Sequence, residues 1–317
     1  MSPETSIQYL EKAQIIDAKG AERLRRHETR RLFSVYWELR TLLYAGITLF
    51  TTGAGWLIYE NIDQIGHSVL LGALALLCAA CFGYAYRYRT PYRPEQTRSK
   101  TVFGDYALLL GCLLFLVLEG YAQYQYTIFG TRYGLVTFLP AVLFLFLAYA
   151  FDHRGVLSLG LTALISWVGV TIRPLDFYFR GNLRDLGVLT SALLLSAGLI
   201  TAAIALDRRG IKRHFTDTTL GFSGNLLFVS LVAGLFNFPE YHWLIAPALV
   251  LACLALDRYA RTRNSFLFIL MSTLYGYIGL TYLIFHYIPL ADDLSYFYWL
   301  ISGVALVAYL LSYGRKK

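Results

Sequence analysis

The residues of this chain that could do chemistry stand at the edges of long apolar runs. Glu119 lies in the stretch LLLGCLLFLVLEGYAQYQY, and Gln123 follows it four residues on, on the same face of a helix. A lone carboxylate in hydrocarbon is costly. It must find a cation, hold a proton or reach water among the neighbouring tyrosines. Such a group could also serve as a general acid or base. Arg173 opens the segment RPLDFYFRGNLRD, which carries Arg180 and Arg184 as well. An arginine fork suits phosphate or carboxylate, so Arg173, Arg180 and Arg184 form a candidate anion-binding loop. The competing reading pairs them with Asp176 and Asp185 in an ordered loop. Glu60 and Asn61 end an earlier apolar run. The expectation is a polar site facing the outer side, built from Glu119, Gln123 and Arg173, with Glu60 and Asn61 at its rim. The sequence assigns no catalytic residue.

Other chemistries lack their spacing. His67, His242 and His286 fall on one expected side, but no H-x-x-H or H-E-x-x-H is present, so no metal is expected. There is no Walker A loop, no G-x-G-x-x-G, no G-x-S-x-G and no EF-hand loop, so no cofactor is expected either. Cys78, Cys81, Cys112 and Cys253 all lie in apolar runs and read as packing residues.

The elements that must position these groups are membrane helices. Apolar residues make up 57% of the 317 and charged residues only 15%, which excludes a disordered chain or a coiled coil. Mean hydropathy is +0.51. Ten segments approach the length of a bilayer span: 41–59, 68–86, 105–123, 134–151, 155–172, 187–206, 219–236, 242–256, 265–286 and 295–313. The eighth is short and needs help from 238–241 or 257–259. With the N-terminus inside, 24 of the 28 Lys and Arg residues fall on cytoplasmic segments and 4 outside. That asymmetry predicts both ends in the cytoplasm, and it accounts for the net charge of +8 without nucleic acid. The fold class is therefore an all-α integral membrane protein. Residues 1–40 form a short basic helical segment and 41–317 a ten-helix transmembrane domain.

In the first segment Ile7, Leu10, Ile15 and Ile16 share a helical face, Gly20 marks a break or turn, and five arginines follow within 23–31. Two readings stand: an arm lying on anionic lipid headgroups, or a cytosolic hairpin packed on the protein's own inner loops. Membrane lipids are the expected partners and protein partners are unassigned. Helices four, six and eight end alike, in AYAFDHRG, AIALDRRG and CLALDRYA, with Asp152, Asp207 and Asp257 aligned. A two-helix period implies parallel hairpin repeats. The halves of the spans nearest the basic loops read as apolar, apart from Thr51, Thr52 and scattered Ser and Thr, which speaks against ion-coupled transport.

The strings LEKAQIIDAKGAERLRR (10–26) and LRTLLYAGITLFTTGAGWLIYENIDQIGH (39–67) resemble bacterial membrane proteins of domain of unknown function 2157 (DUF2157). The resemblance covers roughly residues 8–85. The family pattern is a helical N-terminal segment, then a Gly-containing span closing on an Asn-Trp-Asp-like string; here that string is Glu60-Asn61-Ile62-Asp63, without its Trp. The resemblance implies a bacterial inner-membrane protein and brings no activity with it. The functional expectation is binding or transport of a small polar or lipid-linked molecule through an outward-facing pocket. Its alternatives are a membrane enzyme with a periplasm-facing site at Glu119, and a non-catalytic scaffold or sensor.

Overall fold

The computed structural model describes residues 66–97, 102–130, 132–172, 186–288 and 292–314, with scattered positions between 10 and 56. The chain divides into two compact units, Met1–His67 and Ser68–Lys317. In the first, residues 19–22 form a helical turn whose Gly20 N–H is capped by Asp17 Oδ1 at 2.8 Å. The break expected at Gly20 thus falls just before it, where the Asp17 cap starts a new turn. The expected first span, 41–59, lies largely outside the described residues.

Among its described residues the second unit is built of helices joined by short connections, with no strand. Its long helices are α1 His67–Arg87, α2 Val102–Tyr126, α3 Gly134–Phe151, α4 Arg154–Ile172 and α5 Leu186–Arg208. They continue as α6 Thr216–Asn237, α7 His242–Arg263, α8 Phe266–Tyr287 and α9 Asp292–Gly314. Each matches one of the expected spans from the second onward. Eight are long and apolar enough to cross a membrane; α4 contributes a shorter apolar stretch, Arg154–Gly169. The eighth expected span gains its length at the C-terminal end. There α7 runs on to Arg263, supported by the Arg261–Asp257 ion pair at 2.7 Å and closed by Asn264 in the left-handed conformation.

Apolar residues surround these helices on all sides because their solvent is lipid. Leu76, Phe146, Leu194, Trp243 and Leu300 are each at least 67% exposed, a surface water would not tolerate. Close packing is confined to seams. Leu108 and Cys112 of α2, Phe144 and Ala148 of α3, and Val156, Leu157 and Leu161 of α4 form one buried cluster with Phe215. At the α3–α4 seam a Cβ on Gly160 would meet the backbone nitrogen of Leu145 at 2.9 Å, so only glycine lets the two backbones approach this closely. Helix α6 is the hub: it packs on α4, α5, α7 and α8. Thr216 Oγ1, at its start, donates to Asp207 Oδ1 of α5 at 3.4 Å, and three further buried hydroxyls are satisfied along the helix. Thr219 Oγ1 donates to the Phe215 carbonyl at 3.0 Å, Ser223 Oγ to Thr219 at 2.8 Å and Ser230 Oγ to Leu226 at 2.7 Å. That satisfies polar groups no water reaches.

Candidate functional site

Connections 88–101, 152–153, 209–215 and 264–265 close the hairpins α1–α2, α3–α4, α5–α6 and α7–α8 at one end of the unit. The link between the first three is a buried polar knot. Asp152 follows α3 in the left-handed conformation, φ 59°, which turns the chain straight into α4. Its carboxylate accepts the Thr97 backbone N–H, Thr97 Oγ1 at 3.0 Å, Lys212 Nζ at 3.0 Å and His214 Nε2. Its side chain is 2% exposed and that of Lys212 1%. Lys212 also donates Nζ to the Glu95 carbonyl at 3.2 Å and its backbone N–H to Pro94 at 2.8 Å. Burial pushes the Asp152 carboxyl up. The hydrogen bonds from Thr97 and Lys212, with His214 nearby, outweigh it and hold the group below the usual carboxylate range. Next to it, burial holds His153 below the ordinary histidine value despite the Asp105 carboxylate. His153 Nδ1 accepts the Val156 N–H at 3.1 Å and so caps α4.

The aligned aspartates continue the pattern. Asp207 Oδ2 meets Arg263 Nη2 at 3.5 Å, joining the α5–α6 end to the α7–α8 end. Asp257 holds Arg261, whose Nη2 reaches the Tyr309 hydroxyl on α9 at 3.0 Å. The similar strings therefore do more than anchor arginines: Asp152 and Asp207 cross-link successive hairpins directly, and Asp257 does so through Arg261.

A cleft of about 580 Å³ opens between α4, α6 and α8. Helix α6 lines it with Asp217, Gly221, Asn225 and Val229, residues four apart and hence on one face. Over those twelve steps the stripe runs about 18 Å along the axis. Thr162, Ile165 and Ser166 of α4 and Leu267 and Met271 of α8 form the walls. Asp217 Oδ1 accepts Tyr259 OH at 2.9 Å, and Asn225 Oδ1 accepts Tyr275 OH at 2.7 Å. Along α6 the lining runs from Asp217 and Thr218 through Asn225 to Leu226 and Val229, while Leu267 and Met271 of α8 stand beside Gly221 and Gly224. Such a gradient can hold a molecule with a polar head and an apolar body. Its polar residues lie in the half of α6 nearest the basic loops, a half expected to be largely apolar. The sequence signal was available in the four-residue recurrence of Asp217, Gly221 and Asn225.

The residues singled out from sequence fare unevenly. Glu119 is buried, 8% exposed, and neither carboxylate oxygen has a hydrogen-bond partner among the described residues. Gln123 is buried one turn away, but its amide closes the turn after α2: Nε2 donates to the Gly130 carbonyl at 3.1 Å, and Oε1 accepts the Phe129 N–H at 2.8 Å. Arg173, Arg180, Arg184, Glu60 and Asn61 lie outside the described residues. His242 joins three elements: Nε2 donates to the Leu235 carbonyl at 2.7 Å and Nδ1 is hydrogen-bonded to Tyr287 OH at 2.9 Å. Its ring lies 5.0 Å from that of His286. Among the described residues no three of His, Cys, Asp and Glu gather as a metal site. All four cysteines are free thiols; Cys78 Sγ donates to the Gly111 carbonyl at 3.4 Å across the α1–α2 seam.

Among the described residues every regular element is a helix, and eight are long and apolar enough to cross a membrane: this is a multi-pass membrane protein. Residues 7–157 match the model of the DUF2157 family, described as a predicted membrane protein. The match takes in most of the N-terminal segment and extends past the resemblance read from sequence into the first turn of α4, Asp152 included. No curated protein and no solved structure matches the chain.

Proposed function

We propose that the chain is a bacterial inner-membrane protein that crosses the bilayer ten times with both ends in the cytoplasm. It binds or transports a small polar or lipid-linked molecule, held in the cleft between α4, α6 and α8. One observation carries this reading: the cleft's volume of about 580 Å³, within the range of small-molecule sites, joined to its polar-to-apolar gradient along α6. Asp217 supplies the charge in the lining, so the head group it suits is an amine or a hydroxyl. The similar helix ends at Asp152, Asp207 and Asp257 fit parallel hairpin repeats, with the basic loops gathered on the cytoplasmic side.

A photoactivatable, clickable long-chain amine tests the site in membranes containing the full chain. Labelling is expected on α6 and α8 peptides, to weaken in Asp217→Asn and to disappear in Gly221→Leu, which fills the cleft. Equal labelling of wild type and Gly221→Leu would contradict the reading. A second site is favoured by the Glu119 carboxylate, which has no hydrogen-bond partner among the described residues. There the outward-facing pocket, as binding site or enzyme, would be marked by loss of function in Glu119→Gln with amine labelling intact.

A further inference from the structure

At the basic-loop end a second, separate pocket of about 320 Å³ is lined by Arg89, Thr90, Tyr92, Phe146, Tyr149 and Ala150. Its roof is the 88–97 connection and its floor is the last turns of α3. Two cations stand in or beside it, and they differ in kind. Lys212 lies over the Tyr92 ring at 5.3 Å, but its charge is bound to Asp152. Arg89 stacks over the Tyr86 ring at 4.3 Å and makes no ion pair among the described residues. The pocket thus offers the Arg89 guanidinium, without an ion pair among the described residues, with a threonine and two tyrosines beside it.

Below the guanidinium the surface turns apolar and stays so. Phe146 is 70% exposed, Val142 52% and Leu139 42%. Spaced four and three residues apart, they form a continuous stripe down the lipid-facing side of α3. A polar, cationic mouth at the level of the headgroups, continuing into an apolar groove along a helix, has the polarity profile of a phospholipid. The roof is not a loose loop. Pro94, Glu95 and Thr97 are bonded to Lys212 and Asp152, so Arg89 is carried on a connection pinned to the helix ends.

We infer that this pocket binds an anionic phospholipid of the basic-loop leaflet, its phosphate on Arg89 and one acyl chain along Phe146, Val142 and Leu139. The buried knot at Asp152 then has a consequence beyond stability: by pinning the roof, it shapes the lipid site. The inference is independent of the α4–α6–α8 cleft, whose charge is of opposite sign.

The test uses the full chain in nanodiscs of phosphatidylcholine doped with a photoactivatable phosphatidylglycerol. Cross-links are expected on the peptide containing Phe146 and Tyr149. Arg89→Gln should reduce them roughly fivefold, the effect of about one cation at a membrane surface, while Arg89→Lys retains most of the signal. Arg93→Gln, in the same connection but outside the pocket, should leave it unchanged. Thermal unfolding in pure phosphatidylcholine checks that the variants are folded. Equal labelling of wild type and Arg89→Gln would overturn the inference. So would an equal loss in Arg93→Gln, which would mean a diffuse basic surface, or displacement by inorganic phosphate, which would mean a soluble anion.

Discussion

At the scale of single residues, the most consequential contact is the one between Asp152 and Lys212. Both side chains are almost wholly buried, so removing either partner strands a charge. Asp152→Asn and Lys212→Met should each destabilise the protein by about 3 kcal/mol. The double variant should cost clearly less than the sum, because the second change removes the charge stranded by the first. Thermal unfolding of the four proteins in detergent measures both effects. The pH dependence follows from the direction of the Asp152 shift. A carboxyl held low in the fold contributes its full stabilisation above the ordinary aspartate value of about 4 and loses it as pH falls from there through the lower folded value. Wild type should therefore lose stability on acidification over that window, and Asp152→Asn should lack this component. The sequence marked Asp152 through its alignment with Asp207 and Asp257, but not its partners. Thr97 and Lys212 lie 55 and 60 positions away, and nothing local in either stretch points to the other.

At the scale of elements, glycines separate the packed seams from the open cleft. Gly160 faces the Leu145 backbone, where a methyl group has no room. Gly160→Ala should cost about 1–3 kcal/mol by forcing α3 and α4 apart. Gly221 faces the cleft, where a Cβ would meet Leu267 Cδ2 only at 3.9 Å. Gly221→Ala should be neutral or stabilising by up to about 1 kcal/mol, since alanine favours the helix. A melting comparison of the two variants checks the assignment of seam and cleft together. Helix existence was legible in sequence, because runs of apolar residues at bilayer length leave the backbone no alternative to a helix. Which faces meet was not. Helices apolar on all sides carry almost no amphipathic signal, so the seams depend on small residues such as Gly160, where two backbones come close. Gln123 shows the same limit. Its spacing from Glu119 placed both on one face, yet its amide is taken up by the turn at Phe129 and Gly130.

At the scale of the whole molecule, the basic connections gather at one end through Asp152–Lys212 and Asp207–Arg263, as the uneven distribution of Lys and Arg along the chain anticipates. With that end in the cytoplasm, single cysteines placed near Arg98 and Arg209 in a cysteine-free chain should resist an impermeant thiol reagent in intact cells. Cysteines near Asp63 and Asp292 should react. Labelling at position 98 from outside would invert the topology. The α4–α6–α8 cleft is proposed to hold a small amphipathic molecule, and native mass spectrometry of the full chain, released gently from the membrane in which it was made, tests this most directly. Wild type and Arg89→Gln should both retain a low-mass ligand that Gly221→Leu lacks, with all three equally folded. An identical set of retained masses in wild type and Gly221→Leu would contradict it.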